Sequence, residues 1–244
     1  MESTKILVAV SVGILALVAW ALTLFNVGPT VGIPTLPLDL AAVALFSLAW
    51  TVGMVAMMFP TAVPMLLMFL HVGRSSSPVI RDGGGPTPAK AFVFVGTYIG
   101  TWVATGVLFY VSAAVVLGQL PVSAGLFIGT SLGLGVALVV VAIYQLSPLK
   151  GECLARCHPS SFLFKYYRGG LSGSLRMGLE YAKYCVGCCW VMMAFLLVSA
   201  TMGLVWMVAF SGIIFAERNL PLRRWVPKAF GLGFLVAGAA LILV

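Results

Sequence analysis

The sequence predicts an all-α protein, a polytopic membrane bundle of about seven transmembrane helices. Its 244 residues are 61% hydrophobic and only 8% charged, whereas a soluble domain carries about 25% charged residues. The apolar residues also fall into long runs, each near the ~20 residues that a bilayer requires. We therefore expect a single integral membrane domain over residues 1–244, without a separate soluble domain.

Seven apolar runs define the expected spans. The first follows the N-terminus directly, and we interpret it as a retained span because a clear small-x-small cleavage site is lacking after it. The sixth and seventh runs are short, so six spans with a re-entrant or interfacial segment is the alternative. The runs lie near residues 6–25, 41–70, 91–117, 122–145, 177–200, 203–219 and 228–244.

The 14 Lys and Arg residues are distributed unevenly between the predicted loops. Most lie near residues 71–90, 146–176 and 220–227, and the alternate loops carry none. The positive-inside rule makes the basic side cytoplasmic, which puts the N-terminus inside and the C-terminus outside a multi-pass inner (cytoplasmic) membrane protein. Basic residues confined to loops do not form a nucleic-acid footprint, so the expected partner is the lipid bilayer and not nucleic acid.

The five cysteines form two groups within one stretch of the chain. Cys153 and Cys157 are four residues apart, and on a helical turn they would share one face. Cys185, Cys188 and Cys189 also share one helix face, on the fifth span. Both groups fall on the predicted cytoplasmic side, where a disulfide is not expected. Because thiolates are soft ligands, the cluster predicts a site for Cu(I), with Zn(II) or an iron–sulfur cluster as alternatives.

Two other interpretations of the cysteines stay open. Cysteine is a small apolar residue that is common in buried helices, so the thiols could be structural. Cys185 and Cys188 also have the spacing of a redox dithiol, and Lys183 would favour the thiolate. The usual scaffold of that motif is a soluble βαβ unit, which this sequence does not predict.

Histidine and methionine supply further candidate ligands. His158 follows Cys157 directly, and His71 ends the second span on the same predicted side. Met57 and Met58 belong to a methionine stripe that leads toward His71, and thioethers are soft ligands for Cu(I). Packing is the alternative role of these methionines.

Proline, glycine and charged residues make more local predictions. Pro60 and Pro64 remove two backbone donors from the second span, so that helix should kink or partly unwind. The pairs Gly96-x3-Gly100 and Gly129-x3-Gly133 suit close helix packing. Glu180 and Lys183 are spaced to pair, whereas Glu217 and Arg218 are expected at the cytoplasmic end of the sixth span. The loop at residues 73–90 is rich in Gly, Ser and Pro and is expected to be flexible.

Several motifs resemble a bacterial and archaeal family of predicted metal-binding integral membrane proteins. They are Met-Met-Phe-Pro at residues 57–60, Tyr-Gln-Leu-Ser-Pro-Leu-Lys at 144–150 and Cys-Val-Gly-Cys-Cys-Trp at 185–190. The resemblance covers roughly residues 40–220 and implies metal binding through the cysteines. The chain departs from the family at His158, where Arg is more frequent, and at Gly203, where Asn is common.

These observations favour a protein that binds a soft metal, with copper as the first candidate, and that delivers, inserts or transports it. The alternative is an accessory or structural subunit of a larger membrane complex, such as a metal-dependent oxidase or monooxygenase. The sequence contains no Walker motif, dinucleotide fingerprint, haem-attachment motif or HExxH, so it does not support the activities that depend on those motifs, and a role other than enzymatic is favoured without being decided.

Overall fold

In the computed structural model, every regular element is an α-helix within the described residues, which are 2–24, 39–72, 88–119, 130–198, 204–220 and 225–243. The predicted all-α class is therefore confirmed. The helices are α1 (Glu2–Leu24), α2 (Leu40–Val72), α3 (Pro88–Gln119), α4 (Ser131–Leu146), α5 (Pro148–Cys157), α6 (Pro159–Tyr166), α7 (Gly170–Val198), α8 (Leu204–Asn219) and α9 (Val226–Leu243).

Among the described residues, four helices are long and apolar enough to cross a membrane, which fits a membrane protein. They are Leu40–Phe69 of α2, Ala89–Val116 of α3, Gly170–Leu197 of α7, and Val226–Leu243. The α4–α5 pair, bent by 63°, adds a fifth if the two helices form one broken span. The predicted count of seven is not confirmed, because α8 has only 16 residues and the apolar stretch found within α1 is also short. The orientation of the termini stays a prediction.

Parts of the charge and flexibility predictions lie outside the described residues. These parts are the segment 73–87, with Arg74 and Arg81, and the pair Arg223 and Arg224. The side chain of His71 is likewise not among the described ones.

The segment 146–176, predicted as a loop, instead contains the two short helices α5 and α6. Ser147 ends α4 and caps α5, with its hydroxyl accepting a hydrogen bond from the Lys150 amide at 3.3 Å. Pro148 then occupies the first turn of α5, where a missing N–H costs nothing. Pro159 starts α6 in the same way. The Ser-Pro step therefore turns the chain, so that α5 packs against α7.

Helix α2 is continuous through both of its prolines, so of the two predicted outcomes the partly unwound segment is not found, and the kink stays a prediction. Side-chain hydroxyls bond to carbonyl groups beside this step. Thr61 Oγ1 donates to the Met58 carbonyl at 2.8 Å, and Ser211 Oγ donates from α8 to the Met57 carbonyl at 3.3 Å. These bonds lie near the carbonyls of Ala56 and Pro60, which the two prolines leave without a helical donor.

Glycine contacts occur at positions other than those predicted. A Cβ at Gly96 or Gly100 would meet nothing within 4 Å in the part of the chain that the structure describes, so no helix contact of this pair is found there, and Gly129 lies outside the described residues. The close crossing is instead between α4 and α9. A Cβ at Gly135 would lie 2.9 Å from the Gly238 carbonyl oxygen, and one at Gly238 would lie 2.8 Å from the Gly135 oxygen. Glycine is what lets these two backbones approach.

Helix α7, which carries three of the cysteines, packs against several other helices, among them α5, which carries the other two. Helix α7 packs on α3, α4 and α5, and α2 packs on α1, α3 and α8. The residues at their contacts are mainly aromatic and sulfur-containing, including Trp50, Trp102, Met57, Met58 and Met193, all of which are almost fully buried. The end of α5, the middle of α7 and the last turn of α8 consequently surround one buried region.

Candidate functional site

The two cysteine groups meet where α5 packs on α7. Cys157, Cys185, Cys188 and Cys189 are buried, whereas Cys153 is partly exposed, and all five are free thiols. Cys157 of α5 and Cys185 of α7 each accept a hydrogen bond from the same arginine, Arg218, and the thiols of Cys188 and Cys189 both donate to the Cys185 carbonyl. The structure therefore brings four of the five predicted thiols together in the core.

Cys153 reaches the same turn of α7 because Gly187 has no side chain. Its Sγ lies 3.2 Å from the position that a Cβ at Gly187 would occupy. The Tyr144 hydroxyl of α4 donates to the carbonyl of Gly187. Gly187 thus admits both a thiol and a phenol against the backbone of α7, which gives a physical reason for glycine inside the Cys-Val-Gly-Cys-Cys-Trp block.

Replacing Gly187 with alanine should displace Cys153 without unfolding the protein, because the close atom is the end of a side chain that can rotate. We expect a stability change of about 1 kcal/mol or less and faster alkylation of Cys153. Peptide mapping after timed maleimide labelling would measure this rate. Gly151→Ala, on the same helix as Cys153 and facing open space, is the control and should leave the rate unchanged. Equal rates in both variants would contradict the assigned role of Gly187.

A buried arginine lies between two of the thiols. Arg218, in the last turn of α8, is only 1% exposed. Its Nη1 donates to Cys185 Sγ at 3.2 Å and to Thr61 Oγ1 at 2.8 Å. Its Nη2 donates to Cys157 Sγ at 2.9 Å and to the Tyr181 hydroxyl. One guanidinium therefore joins α2, α5, α7 and α8 through two thiols and two hydroxyls.

Cys185 is the most heavily contacted of the thiols. Besides Arg218, the Tyr98 hydroxyl lies 3.1 Å from its sulfur. Its backbone carbonyl accepts from the thiols of Cys188 at 3.1 Å and Cys189 at 3.0 Å. The Arg218 guanidinium also sits 5.1 Å from the centre of the Tyr181 ring, within the range of a cation–π interaction. Cys185 thus has one cation and one phenol at its sulfur and two thiols at its carbonyl.

A second buried polar group adjoins Arg218. Lys150 Nζ lies 2.7 Å from Glu217 Oε2, and both side chains are almost fully buried. Gln145 bonds to both partners. The sequence predicted Lys150 in a loop on the cytoplasmic side. The loop position is wrong, because Lys150 belongs to α5 and is buried in the core. Since Lys150 neutralises Glu217, that carboxylate does not serve as the counter-ion of Arg218.

The remaining sequence-predicted ligands lie at varied positions. His158 lies at the junction of α5 and α6, where its Nδ1 is 3.0 Å from Ser160 Oγ. Met57 and Met58 are fully buried in α2. Met58 connects to the thiols through its backbone, because Thr61 donates to its carbonyl and accepts from Arg218.

Among the described residues, no group of three or more His, Cys, Asp or Glu side chains is arranged to hold a metal ion. The contacts explain this. Arg218 bonds to the sulfurs of both Cys157 and Cys185. Cys188 points its thiol at a carbonyl of its own helix. The structure brings soft thiol ligands together, and the Arg218 guanidinium lies beside them.

Sequence reasoning found the cysteines but not most of their neighbours. Tyr98 and Tyr181 carried no signal that distinguishes them from other aromatic residues, and Lys150 was noted only as a basic residue and as the end of the motif at residues 144–150. Glu217 and Arg218 did carry one, because ionisable residues beside an apolar run are usually paired or functional. Their predicted position at the end of a helix is correct, but both are buried. The predicted pair of Glu180 and Lys183 is confirmed at 2.6 Å on the surface.

Comparison with known proteins gives one family. The family model for PpoB2, described as a copper chaperone, matches residues 47–241, which is more than half of the chain and includes all five cysteines and Arg218. No curated protein and no solved structure matches the chain.

Proposed function

Because the chain belongs to the PpoB2 copper chaperone family, we propose that it is a membrane-embedded chaperone that receives and passes on Cu(I) through buried thiols. The observation that carries this proposal is that the sulfurs of Cys157 and Cys185 lie in the core, 2.9 and 3.2 Å from the two terminal nitrogens of one arginine. These thiols come from different helices, and thiolates are the ligands that Cu(I) prefers.

Cys157 and Cys185 are the proposed ligands, because their sulfurs lie on either side of one guanidinium. Cys188, whose thiol donates to the Cys185 carbonyl at 3.1 Å, is the third thiol available during exchange. Cys189 is buried beside Cys185, to whose carbonyl it donates at 3.0 Å, whereas Cys153 is partly exposed. Met57 and Met58, buried in the neighbouring helix α2, would supply neutral thioethers along an approach path.

The chemistry is ligand exchange without a change of oxidation state. A donor that carries Cu(I) between two thiolates gives the ion to Cys157 and Cys185. Two S–H bonds of this protein break as two Cu–S bonds form, and the two protons pass to the donor's thiolates. The reverse step delivers the ion to an acceptor with thiol ligands. No oxidant or reductant is required.

The proposed location is the inner membrane, with the thiol site toward the cytoplasm. The apolar helices α2, α3, α7 and α9 support a membrane protein, and the basic residues favour this orientation. Thiols stay reduced on the cytoplasmic side, which a Cu(I) site requires.

Cys157→Ser and Cys185→Ser should each weaken Cu(I) binding by at least ~100-fold. The loss of a residue that only hydrogen-bonds to a ligand already costs about 10–100-fold in metal affinity, and the loss of the ligand itself should cost more. The measurement is anaerobic competition with a Cu(I) chelator, using the intact protein in detergent. Cys153→Ser, at the edge of the cluster, is the matched control and should bind as the wild type does. The proposal fails if the wild type and both variants hold the same near-zero copper.

A further inference from the structure

We propose that Arg218 determines the charge of the ion that the site accepts, because its fixed positive charge balances the single negative charge of a Cu(I) bis-thiolate formed by Cys157 and Cys185. This role rests on the proposed function and specifies how the same site distinguishes a monovalent from a divalent ion.

The guanidinium of Arg218 is aligned with two sulfurs. The two terminal nitrogens of Arg218 each donate to a different sulfur, at 3.2 Å for Cys185 and 2.9 Å for Cys157. A guanidinium is a planar fork that suits two acceptor atoms at once. Its hydroxyl partners, Thr61 and Tyr181, fix the fork from the other helices. Arg218 is therefore already aligned with both sulfurs and needs no rearrangement to act as their counter-ion.

The positive charge of Arg218 is not paired with a carboxylate among the described residues. Arg218 is buried and always protonated, and no carboxylate of the described residues forms an ion pair with it. The nearest acid in the sequence, Glu217, is held by Lys150 at 2.7 Å. The Nε of Arg218 also has no acceptor among the described residues. With neutral thiols, this region thus carries one uncompensated positive charge, which is unfavourable in a core.

The net charge of the loaded site differs between Cu(I) and Zn(II). Cu(I) with two thiolates has a net charge of −1, and Arg218 brings the total to zero. Zn(II) with the same two thiolates is neutral, so the charge of Arg218 would stay uncompensated. The Cys188 thiol donates to the Cys185 carbonyl at 3.1 Å, and we assign it no third thiolate charge in the loaded state. The core therefore favours a monovalent soft ion.

The test compares two substitutions of Arg218 by anaerobic competition titrations with chelators for Cu(I) and for Zn(II). Arg218→Met removes the charge and should weaken Cu(I) binding by at least ~100-fold, with Zn(II) affinity unchanged or higher. Arg218→Lys keeps the charge but loses the fork, and its Cu(I) affinity should stay within about tenfold of the wild type. Thr61→Val is the structural control, since it removes a hydrogen-bond partner of Arg218 without touching the charge, and it should leave the ratio of the two affinities unchanged.

The outcomes separate the two proposals. If wild-type protein binds Cu(I) but Arg218→Met lowers Cu(I) and Zn(II) affinity by the same factor, Arg218 is only structural, and the inference falls while the proposed function stands. If wild-type protein does not bind Cu(I), the proposed function fails, and the inference fails with it.

A second measurement needs no variant, in case Arg218→Met does not fold. Wild-type protein is titrated with Ag(I) and with Cd(II), two soft ions that differ in charge. We expect Ag(I) to displace Cd(II) at equal concentrations. Displacement of Ag(I) by Cd(II) would overturn the role of Arg218 in selecting charge.

Discussion

Replacing Lys150 with methionine should destabilise the protein by about 3–5 kcal/mol, which is the usual cost of removing one partner of a buried ion pair. Lys150 and Glu217 are almost fully buried and 2.7 Å apart, so the substitution leaves the carboxylate of Glu217 in the core with only Gln145 beside it. The pair also joins α5 to α8, the helices that carry Cys157 and Arg218. The midpoint of unfolding in detergent would measure the loss, and the Cu(I) affinity should fall with it.

A double variant and a surface variant serve as controls for Lys150. Lys150→Met combined with Glu217→Gln removes both charges and should recover at least half of the lost stability, because no carboxylate is then left unpaired. Arg156→Gln breaks the exposed pair with Glu152, whose partners are 3.7 Å apart, and should change stability by less than about 0.5 kcal/mol. If the Lys150 variant is no less stable than the Arg156 variant, the buried pair does not stabilise the fold.

Gly238→Ala should destabilise the protein by about 1–3 kcal/mol, because it overpacks the close crossing of α4 and α9. The added Cβ would lie 2.8 Å from the carbonyl oxygen of Gly135 and 2.9 Å from a methyl group of Val139. A backbone oxygen cannot rotate away as a flexible side chain can, so α4 and α9 would have to separate. Thermal unfolding in detergent, followed by circular dichroism, would measure the effect.

Gly233 provides the matched control on the same helix. A Cβ at Gly233 would meet nothing within 4 Å, and alanine is favoured over glycine in a helix by roughly 0.5–1 kcal/mol. Gly233→Ala should therefore be neutral or stabilising. If Gly238→Ala and Gly233→Ala shift the unfolding midpoint equally, the α4–α9 crossing does not depend on glycine.

The all-α class and the faces of the cysteine-bearing helices could be predicted because both depend on local patterns. Spacings of three and four residues put Cys185, Cys188 and Cys189 on one face of any helix, and α7 is continuous through all three. The spacing of Cys153 and Cys157 was equally informative once α5 formed. Such periodicity describes one helix at a time and does not name the partner that the face will meet.

The parts that could not be predicted depend on contacts between distant segments. Arg218 acquires its role from residues that lie on three other helices, and no spacing in the sequence relates them. Lys150 looked like a topology signal because it follows an apolar run, whereas the cap at Ser147 turns it inward. In the same way, the spacing of Gly96 and Gly100 suits a helix contact, yet whether a neighbour lies there is decided by the whole bundle.

The separation along the chain between Arg218 and its partners also sets an order of events during biosynthesis. Arg218 bonds to Thr61, Cys157 and Cys185, which precede it by 157, 61 and 33 residues. Because a chain is made from its N-terminus, every cysteine leaves the ribosome before α8 does. A nascent chain arrested before α8 would hold all five thiols without their cation. If Arg218 acts as proposed, the Cu(I) site with its counter-ion would be complete only in a chain whose synthesis has passed α8.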